Sequence, residues 1–134
     1  MYGDPAEIRT ILTGLGDTWA VVGLSANQTR PAHGVAAVLQ RYGKRIVPVH
    51  PRPRRSTASG VRLAGGHPFP VDVVDVFVHS KWAGSVADEA VAIGAKAVWF
   101  QLGVIDEEAW RRTRAAGVSM VMDRCPVIEI PRLG

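Results

Sequence analysis

The sequence contains little of what several familiar protein classes require. A single cysteine among 134 residues excludes an intrachain disulfide and is typical of a reducing compartment. No apolar run is long enough to cross a bilayer as a helix, and the first five residues lack the basic-then-apolar order of a secretory signal. The length suits one domain and leaves no room for a second, substrate-binding one. We therefore expect a single cytoplasmic domain over residues 1–134.

Acidic residues are missing from a long central segment. Between Asp17 and Asp72 there are eight basic residues and no acidic one, whereas the rest of the chain holds eight basic and all twelve acidic residues. The segment therefore carries a formal charge of +8 and the remainder −4. Because solvated surfaces usually mix charges, this segment favours an anionic partner, with a merely basic surface as the alternative.

Apolar runs that alternate with helical patterns predict the fold. The runs predict buried strands at 19–23, 45–49, 73–78, 97–100 and 118–122. Helical patterns and their end signals fall at 5–15, 31–43, 83–93 and 106–117, and residues 50–70 read as a long irregular connection. Apolar strands separated by helices predict a single Rossmann-like, doubly wound α/β domain of about five mostly parallel strands with helices on both faces. Pro48 favours an edge position for the second strand or an early end to its pairing.

The turn after the first predicted strand has features of a phosphate-binding loop. Gly23 permits a tight turn, and Pro31 begins a helix whose free backbone N–H groups form an anion site. Polar side chains in the loop include Ser25, Asn27 and Arg30. The dinucleotide fingerprint is absent, since Ser25 and Gln28 occupy the positions of its second and third glycines. By itself such a turn is equally consistent with a purely structural role.

The segment after the second predicted strand adds a more specific signal. NAD-binding domains place an acid there to hold the ribose hydroxyls, but this chain has Arg52, Arg54 and Arg55 and no acid. Guanidinium groups can pair bidentately with a ribose phosphate that a carboxylate would repel. The segment therefore predicts an adenosine nucleotide with an extra ribose phosphate, either NADP or coenzyme A.

Six blocks of the sequence carry a family resemblance: Ala20–Ser25, Arg30–Pro31, Val47–Pro51, Val73–Phe77, Val98–Val104 and Met122–Pro126. In this order they resemble the small stand-alone CoA-binding proteins, whose domain is related to the CoA-binding domain of the succinyl-CoA synthetase alpha subunit. The family usually has Val-Asn-Pro after the second strand, and here His50 replaces the asparagine.

The resemblance implies a protein that binds coenzyme A or an acyl-CoA without catalysis of its own. It places the pyrophosphate at the loop 23–30, the adenosine near 50–55 and the pantetheine arm near Phe77, Val78 and Gln101. The Gln101 amide could meet the pantetheine amides, whereas turn structure alone would explain Gly103. The candidate binding residues are Gly23, Ser25, Asn27, Arg30, Pro31, His50, Pro51, Arg52, Arg54, Arg55, Phe77, Val78, Gln101 and Gly103.

Other functions fit the sequence less well. An NADP-dependent reductase is disfavoured by the missing glycines and by the lack of a Tyr-Lys proton donor pair, and a nucleic-acid binder by an aromatic content of 7%. The four histidines are well separated, so no metal site is expected. Cys125 should lie near the ligand edge as a packed residue rather than a nucleophile. Asp123 and Arg124 could form a catalytic pair, but a local ion pair or helix cap explains them as well.

Overall fold

The computed structural model describes residues 2–23, 31–49 and 71–133, which form one parallel β-sheet flanked by helices. The strands are β1 Thr18–Val22, β2 Arg45–Val49, β3 Val73–Val76, β4 Ala97–Phe100 and β5 Ser119–Val121. Their spatial order is β2-β1-β3-β4-β5, and every neighbouring pair is parallel. This is the order of flavodoxin-like doubly wound sheets. The predicted parallel sheet is confirmed.

Helices cover both faces of the sheet. They are α1 Pro5–Thr13, α2 Pro31–Arg41, α3 Ser80–Ala92, α4 Glu107–Ala115 and α5 Pro126–Arg132. Alternate strand residues point to opposite faces, so Trp19 and Val73 pack with α1, α2 and α5, whereas Ala20 and Val74 pack with α3 and α4. The predicted doubly wound α/β architecture is confirmed.

Strand β2 lies at the edge of the sheet, as its proline predicts. Pro48 is in register with Val21 of β1, and no described strand pairs with the other side of β2. An edge position tolerates a residue that cannot donate a ladder hydrogen bond.

Helix boundaries follow local capping chemistry. Helix α4 begins after Asp106, whose Oδ1 accepts a hydrogen bond from the Ala109 backbone N–H at 3.0 Å. Helix α3 begins three residues before its predicted start, because the His79 side chain accepts from the Lys81 N–H at 3.1 Å and caps the helix there. Strand β3 is two residues shorter than predicted and ends at Val76.

Helix α5 was not expected from the sequence. Pro126 begins it and Pro131 lies in its last turn, so two prolines within seven residues conceal the helical pattern. Packing supplies the missing signal, since Ile130 and the adjacent Leu133 lie against the apolar cluster shared by α1 and α2.

Two tryptophans form the centre of the core on the α1, α2 and α5 face. Trp19 and Trp99 are fully buried, with ring centroids 6.0 Å apart. The Trp99 indole N–H donates to the Arg124 carbonyl at 2.9 Å and fixes the chain that leaves β5. Trp99 and Phe100 were predicted to be core residues, and both are fully buried.

A carboxyl group is buried on this same face. Asp75 in β3 is fully buried between Val21 of β1 and Trp99 of β4, and neither of its oxygens has a hydrogen-bond partner among the described residues. Burial raises the pKa of Asp75 well above its usual value, because the charged form loses its hydration. The site therefore favours the neutral acid.

Candidate ligand-binding site

The chain reverses its direction of winding between β1 and β3. Strand β2 lies on one side of β1, and β3, β4 and β5 follow in order on the other side. In sheets of this kind ligands bind beyond the carboxyl ends of the strands at this switch point. Gly23 follows β1 and Phe77 follows β3, so both residues lie there.

The backbone at the switch point is tightly packed. The Gly23 N–H donates to the Val49 carbonyl at the end of β2, at 2.9 Å, and the Phe77 N–H donates to the Val22 carbonyl, also at 2.9 Å. Gly23 has a φ of +105°, and a Cβ atom there would lie 3.1 Å from the Phe77 Cβ. Glycine is required both for this conformation and for this close approach.

A cavity of about 340 Å³ opens at this edge of the sheet. That volume lies at the lower end of the range for small-molecule sites and suits part of a larger ligand. Most of its lining is apolar. The lining residues are Gly23, Ala32, Val35, Phe77, Gln101, Leu102, Val104 and Cys125. We call this space the switch-point cavity.

Gln101 contributes the polar character of the switch-point cavity. Its backbone N–H donates to the Val76 carbonyl at 3.1 Å, which holds the residue at the carboxyl end of β4. The residue is only 5% exposed, and its side-chain carbonyl oxygen has no hydrogen-bond partner among the described residues. An unsatisfied buried acceptor costs about 1–3 kcal/mol. The oxygen itself is fully buried, so a ligand donor would recover this free energy only if the Gln101 side chain turned toward the cavity.

Cys125 lines this cavity and lies immediately before α5. It is 8% exposed and packs with the apolar cluster on the α1, α2 and α5 face. Its side chain does not cap the helix. The predictions that Cys125 lies near the ligand edge and is packed agree with this position.

The neighbouring Asp123 and Arg124 have backbone partners rather than each other's side chains. Asp123 has a φ of 58°, and its Oδ1 accepts from the Gly103 N–H at 2.9 Å. The Arg124 guanidinium donates to the Asp123 carbonyl at 2.8 Å. The side-chain ion pair and the helix cap considered from the sequence are not formed, since Cys125 occupies the cap position. These contacts shape the turns that border the switch-point cavity.

The structure brings together some of the residues predicted to bind ligand. Gly23, Phe77 and Gln101 line the switch-point cavity. The Val78 side chain instead packs in the core on the α3 and α4 face, and Gly103 occupies a turn with a φ of +80° outside the cavity lining. Pro31 begins α2 as expected. The remaining candidates lie outside the described residues: Ser25, Asn27, Arg30, His50, Pro51, Arg52, Arg54 and Arg55.

Four lining residues were missed by the sequence analysis, namely Ala32, Val35, Leu102 and Val104. They are apolar or small and carry no chemical signature. The one available signal was the position of Ala32 and Val35. Both lie in the first turns of the helix that follows the predicted phosphate-binding loop.

Part of the basic segment lies away from the switch-point cavity. Arg41 ends α2, and Lys44 and Arg45 begin β2, so these three residues lie at the edge opposite the switch-point cavity. Lys44 is buried and pairs with Asp17 at 3.0 Å. The charge excess available to a ligand at the carboxyl edge is therefore smaller than the +8 of the whole segment.

The described ranges hold neither a metal-binding cluster of side chains nor a membrane-spanning helix. No group of three or more histidine, cysteine, aspartate or glutamate side chains is arranged to hold a metal ion. No described helix is both long and apolar enough to span a bilayer.

The sheet order and the cavity at its switch point define a small-molecule-binding α/β domain of the doubly wound class. Comparison with known proteins identifies the family. The model of the CoA binding domain matches residues 17–131, and the chain belongs to this family. Membership supports binding of coenzyme A, a nucleotide ligand, as the general activity.

Relatives share nearly the whole fold. The chain is 35% identical over 123 residues to the uncharacterized protein YneT of Bacillus subtilis, covering 90% of this chain and 89% of that protein. It is similar to the structure of a hypothetical protein from Pyrococcus horikoshii OT3, with a TM-score of 0.82, 32% identity and coverage of 98% and 94%. A structure from Thermus thermophilus gives a TM-score of 0.80, again with 32% identity, and coverage of 98% and 100%.

Proposed function

We propose that this protein binds coenzyme A or an acyl-CoA across the carboxyl edge of the sheet and performs no catalysis of its own. The pantetheine arm enters the switch-point cavity, and the phosphates and adenosine lie over the segments that leave β1 and β2. The observation that carries this proposal is the cavity itself, which has a mostly apolar lining that includes the buried amide residue Gln101.

The chemistry of a pantetheine arm fits this lining. The arm alternates methylene groups with amides, so it offers apolar surface to Val35 and Phe77 and an N–H donor to Gln101. A hydrogen bond to the Gln101 oxygen would contribute about 0.5–1.5 kcal/mol and relieve the buried acceptor.

The hydrogen bond from Gly23 to Val49 supports the placement of the charged end of the ligand. This 2.9 Å contact joins Gly23, the residue after β1, to Val49, the last residue of β2, so the two strands end beside each other at the carboxyl edge. The predicted phosphate loop and the segment with Arg52, Arg54 and Arg55 therefore start at the same edge. Those three guanidinium groups are our candidates for the ribose 3′-phosphate.

The absence of catalysis is proposed from the surroundings of the cavity. A nucleophile needs an activating base, and the described residues that line the cavity with Cys125 include no histidine, lysine or carboxylate. The carboxylate of Asp123 stabilises the turn at Gly103, because its Oδ1 accepts a hydrogen bond from the Gly103 N–H.

Titration calorimetry with three nucleotides tests the charged end. We expect coenzyme A to bind about tenfold or more tightly than 3′-dephospho-CoA, since a charge-assisted contact contributes about 1.5–3 kcal/mol. The triple variant Arg52→Ala, Arg54→Ala, Arg55→Ala should lose this preference. An unchanged preference would disprove the assignment of the arginines, and tighter binding of NADP than of coenzyme A would disprove the ligand.

A second pair of variants tests the pantetheine end. Gln101→Leu removes the buried acceptor, so we expect coenzyme A affinity to fall about two- to tenfold while the free protein keeps or gains stability. Gln40→Leu makes the same chemical change on the exposed surface of α2 and should leave affinity unchanged. Equal affinities for both variants would show that the arm does not enter the switch-point cavity.

A further inference from the structure

A second cavity, distinct from the proposed nucleotide site, lies between α1 and α5. Its volume is about 520 Å³, and we call it the α1–α5 cavity. Three arginines line it, Arg9, Arg124 and Arg132, together with one acidic residue, Glu129. The formal charge of the lining is therefore +2. It shares no lining residue with the switch-point cavity.

Two of these arginines lack a carboxylate partner within the described residues. Arg9 donates from Nη2 to the Leu133 carbonyl at 2.8 Å, and Arg124 donates from Nη1 to the Asp123 carbonyl at 2.8 Å. Each guanidinium group has five N–H donors, so one such bond leaves most of its donors without a partner among the described residues, and no described carboxylate forms an ion pair with either group. Both contacts also anchor the side chains to backbone atoms, which limits their freedom to turn away into solvent.

The third arginine and the acid compensate each other. Arg132 Nη1 lies 3.4 Å from Glu129 Oε2, and the Glu129 side chain is 9% exposed. The acid nearest along α1, Glu7, is engaged elsewhere, because it accepts from Arg114 at 2.6 Å and from the Met120 N–H at 3.0 Å. Neither carboxylate is thus free to neutralise Arg9 and Arg124.

Gly3 packs closely against Arg124 in the lining of the cavity. Gly3 lies so close that a Cβ atom there would be 3.0 Å from the Arg124 Nε. Ile8 and Leu133 add apolar surface to the lining. The space therefore combines two uncompensated guanidinium groups with an apolar wall, which suits a small anion that has a short carbon body.

We propose that the α1–α5 cavity is a binding site for a small organic dianion, either a phosphomonoester or a dicarboxylate. Arg9 and Arg124 hold the two negative charges from either side, in the bidentate manner that guanidinium groups allow. This site is independent of the proposed coenzyme A site, so either proposal can fail alone.

The indole of Trp99 provides a local reporter. Its N–H donates to the carbonyl of Arg124, so an anion that contacts Arg124 should shift the Trp99 indole signal in a ¹⁵N-correlated NMR spectrum. Trp99→Phe assigns this signal, and the indoles of Trp19, Trp82 and Trp110 serve as internal controls. Inorganic phosphate and malonate are the probes, and sodium chloride at equal ionic strength corrects for screening.

The variants decide whether the binding is at this cavity. We expect a saturable Trp99 shift with phosphate or malonate that weakens at least tenfold in Arg9→Gln and in Arg124→Gln. Arg124→Lys should regain part of the affinity, because lysine keeps the positive charge but lacks the planar guanidinium group that binds an anion through two hydrogen bonds. Arg111→Gln removes an exposed arginine from α4 on the opposite face of the sheet and should bind within twofold of wild type.

Two results would overturn the proposal, namely the absence of a saturable Trp99 shift and a shift retained in Arg9→Gln. If the shift retained in Arg9→Gln is lost in the triple variant of Arg52, Arg54 and Arg55, the probe reads the nucleotide site. Arg9 lies on the exposed surface of α1, so its variant should fold even if Arg124→Gln does not.

Discussion

The buried carboxyl group of Asp75 should make stability depend on pH in an unusual direction. Asp75 has no hydrogen-bond partner among the described residues, and burial raises its pKa well above the usual value. The native state therefore keeps a proton that the unfolded chain releases near pH 4 or above. Because the unfolded state binds fewer protons, raising the pH favours unfolding. We predict that Asp75→Asn is more stable than wild type at neutral pH.

The size of the effect follows from proton linkage. Between the pKa of Asp75 in the unfolded chain and its raised native pKa, the wild type should lose up to about 1.4 kcal/mol per pH unit relative to the variant. The buried amide of asparagine has its own cost of about 1–3 kcal/mol, but this cost does not change with pH. The pH-dependent part of the difference thus isolates the carboxyl group.

Urea denaturation at pH 4.5, 5.5, 6.5 and 7.5 measures this difference in the free energy of unfolding. Asp88→Asn is the matched control, since Asp88 lies on α3 with a side chain 57% exposed and pairs with Arg112 at 3.0 Å. Its effect should stay within about 1 kcal/mol over this range. A constant difference between wild type and Asp75→Asn would show that Asp75 is not held protonated.

Three further substitutions test other contacts. Gly16→Ala should lower the free energy of unfolding by about 1–3 kcal/mol, because Gly16 has a φ of +119° and a Cβ atom would overlap the Asp72 carboxylate. Trp99→Phe should lower the free energy of unfolding by about 1–3 kcal/mol, since it leaves the Arg124 carbonyl without its indole donor. Urea denaturation measures the stability of both variants. Cys125→Ser should leave coenzyme A affinity within about twofold by calorimetry, because Cys125 acts as a packed wall residue.

Each of these has a result that would contradict it. Gly43 has a φ of +92° with open space around it, so Gly43→Ala isolates backbone strain. If Gly16→Ala costs no more than Gly43→Ala, the overlap with Asp72 is unimportant. Unchanged stability of Trp99→Phe would show that water replaces the indole. A loss of affinity much above twofold in Cys125→Ser would indicate direct contact with the ligand.

The regular elements could be predicted because their signals are local. Strand β4 was predicted at its observed bounds, and Pro48 indicated the edge strand correctly. The start of α4 was marked by Asp106, which caps it. Helix α5 was missed because Pro131 interrupts its pattern, and only packing against α1 and α2 reveals it.

The candidate site could be predicted only in part. Gly23, Phe77 and Gln101 were placed correctly at the carboxyl edge, since strand ends follow from strand positions. Val78 was expected beside the ligand, but its side chain packs in the core on the α3 and α4 face, two residues beyond the end of β3. The contribution of the arginines after β2 stays a prediction, because they lie outside the described residues.

The amino-acid sequence by itself determined the alternation of strands and helices, the parallel sheet and the glycine at the first turn, because periodicity and backbone conformation are properties of neighbouring residues. Only the tertiary structure decided which side chains share a cavity. It placed Cys125 and Gln101 in the lining of one cavity, and it brought Arg9 and Arg124, 115 positions apart, to another. Contacts of this kind depend on how helices pack on the sheet, which the local pattern of residues does not specify.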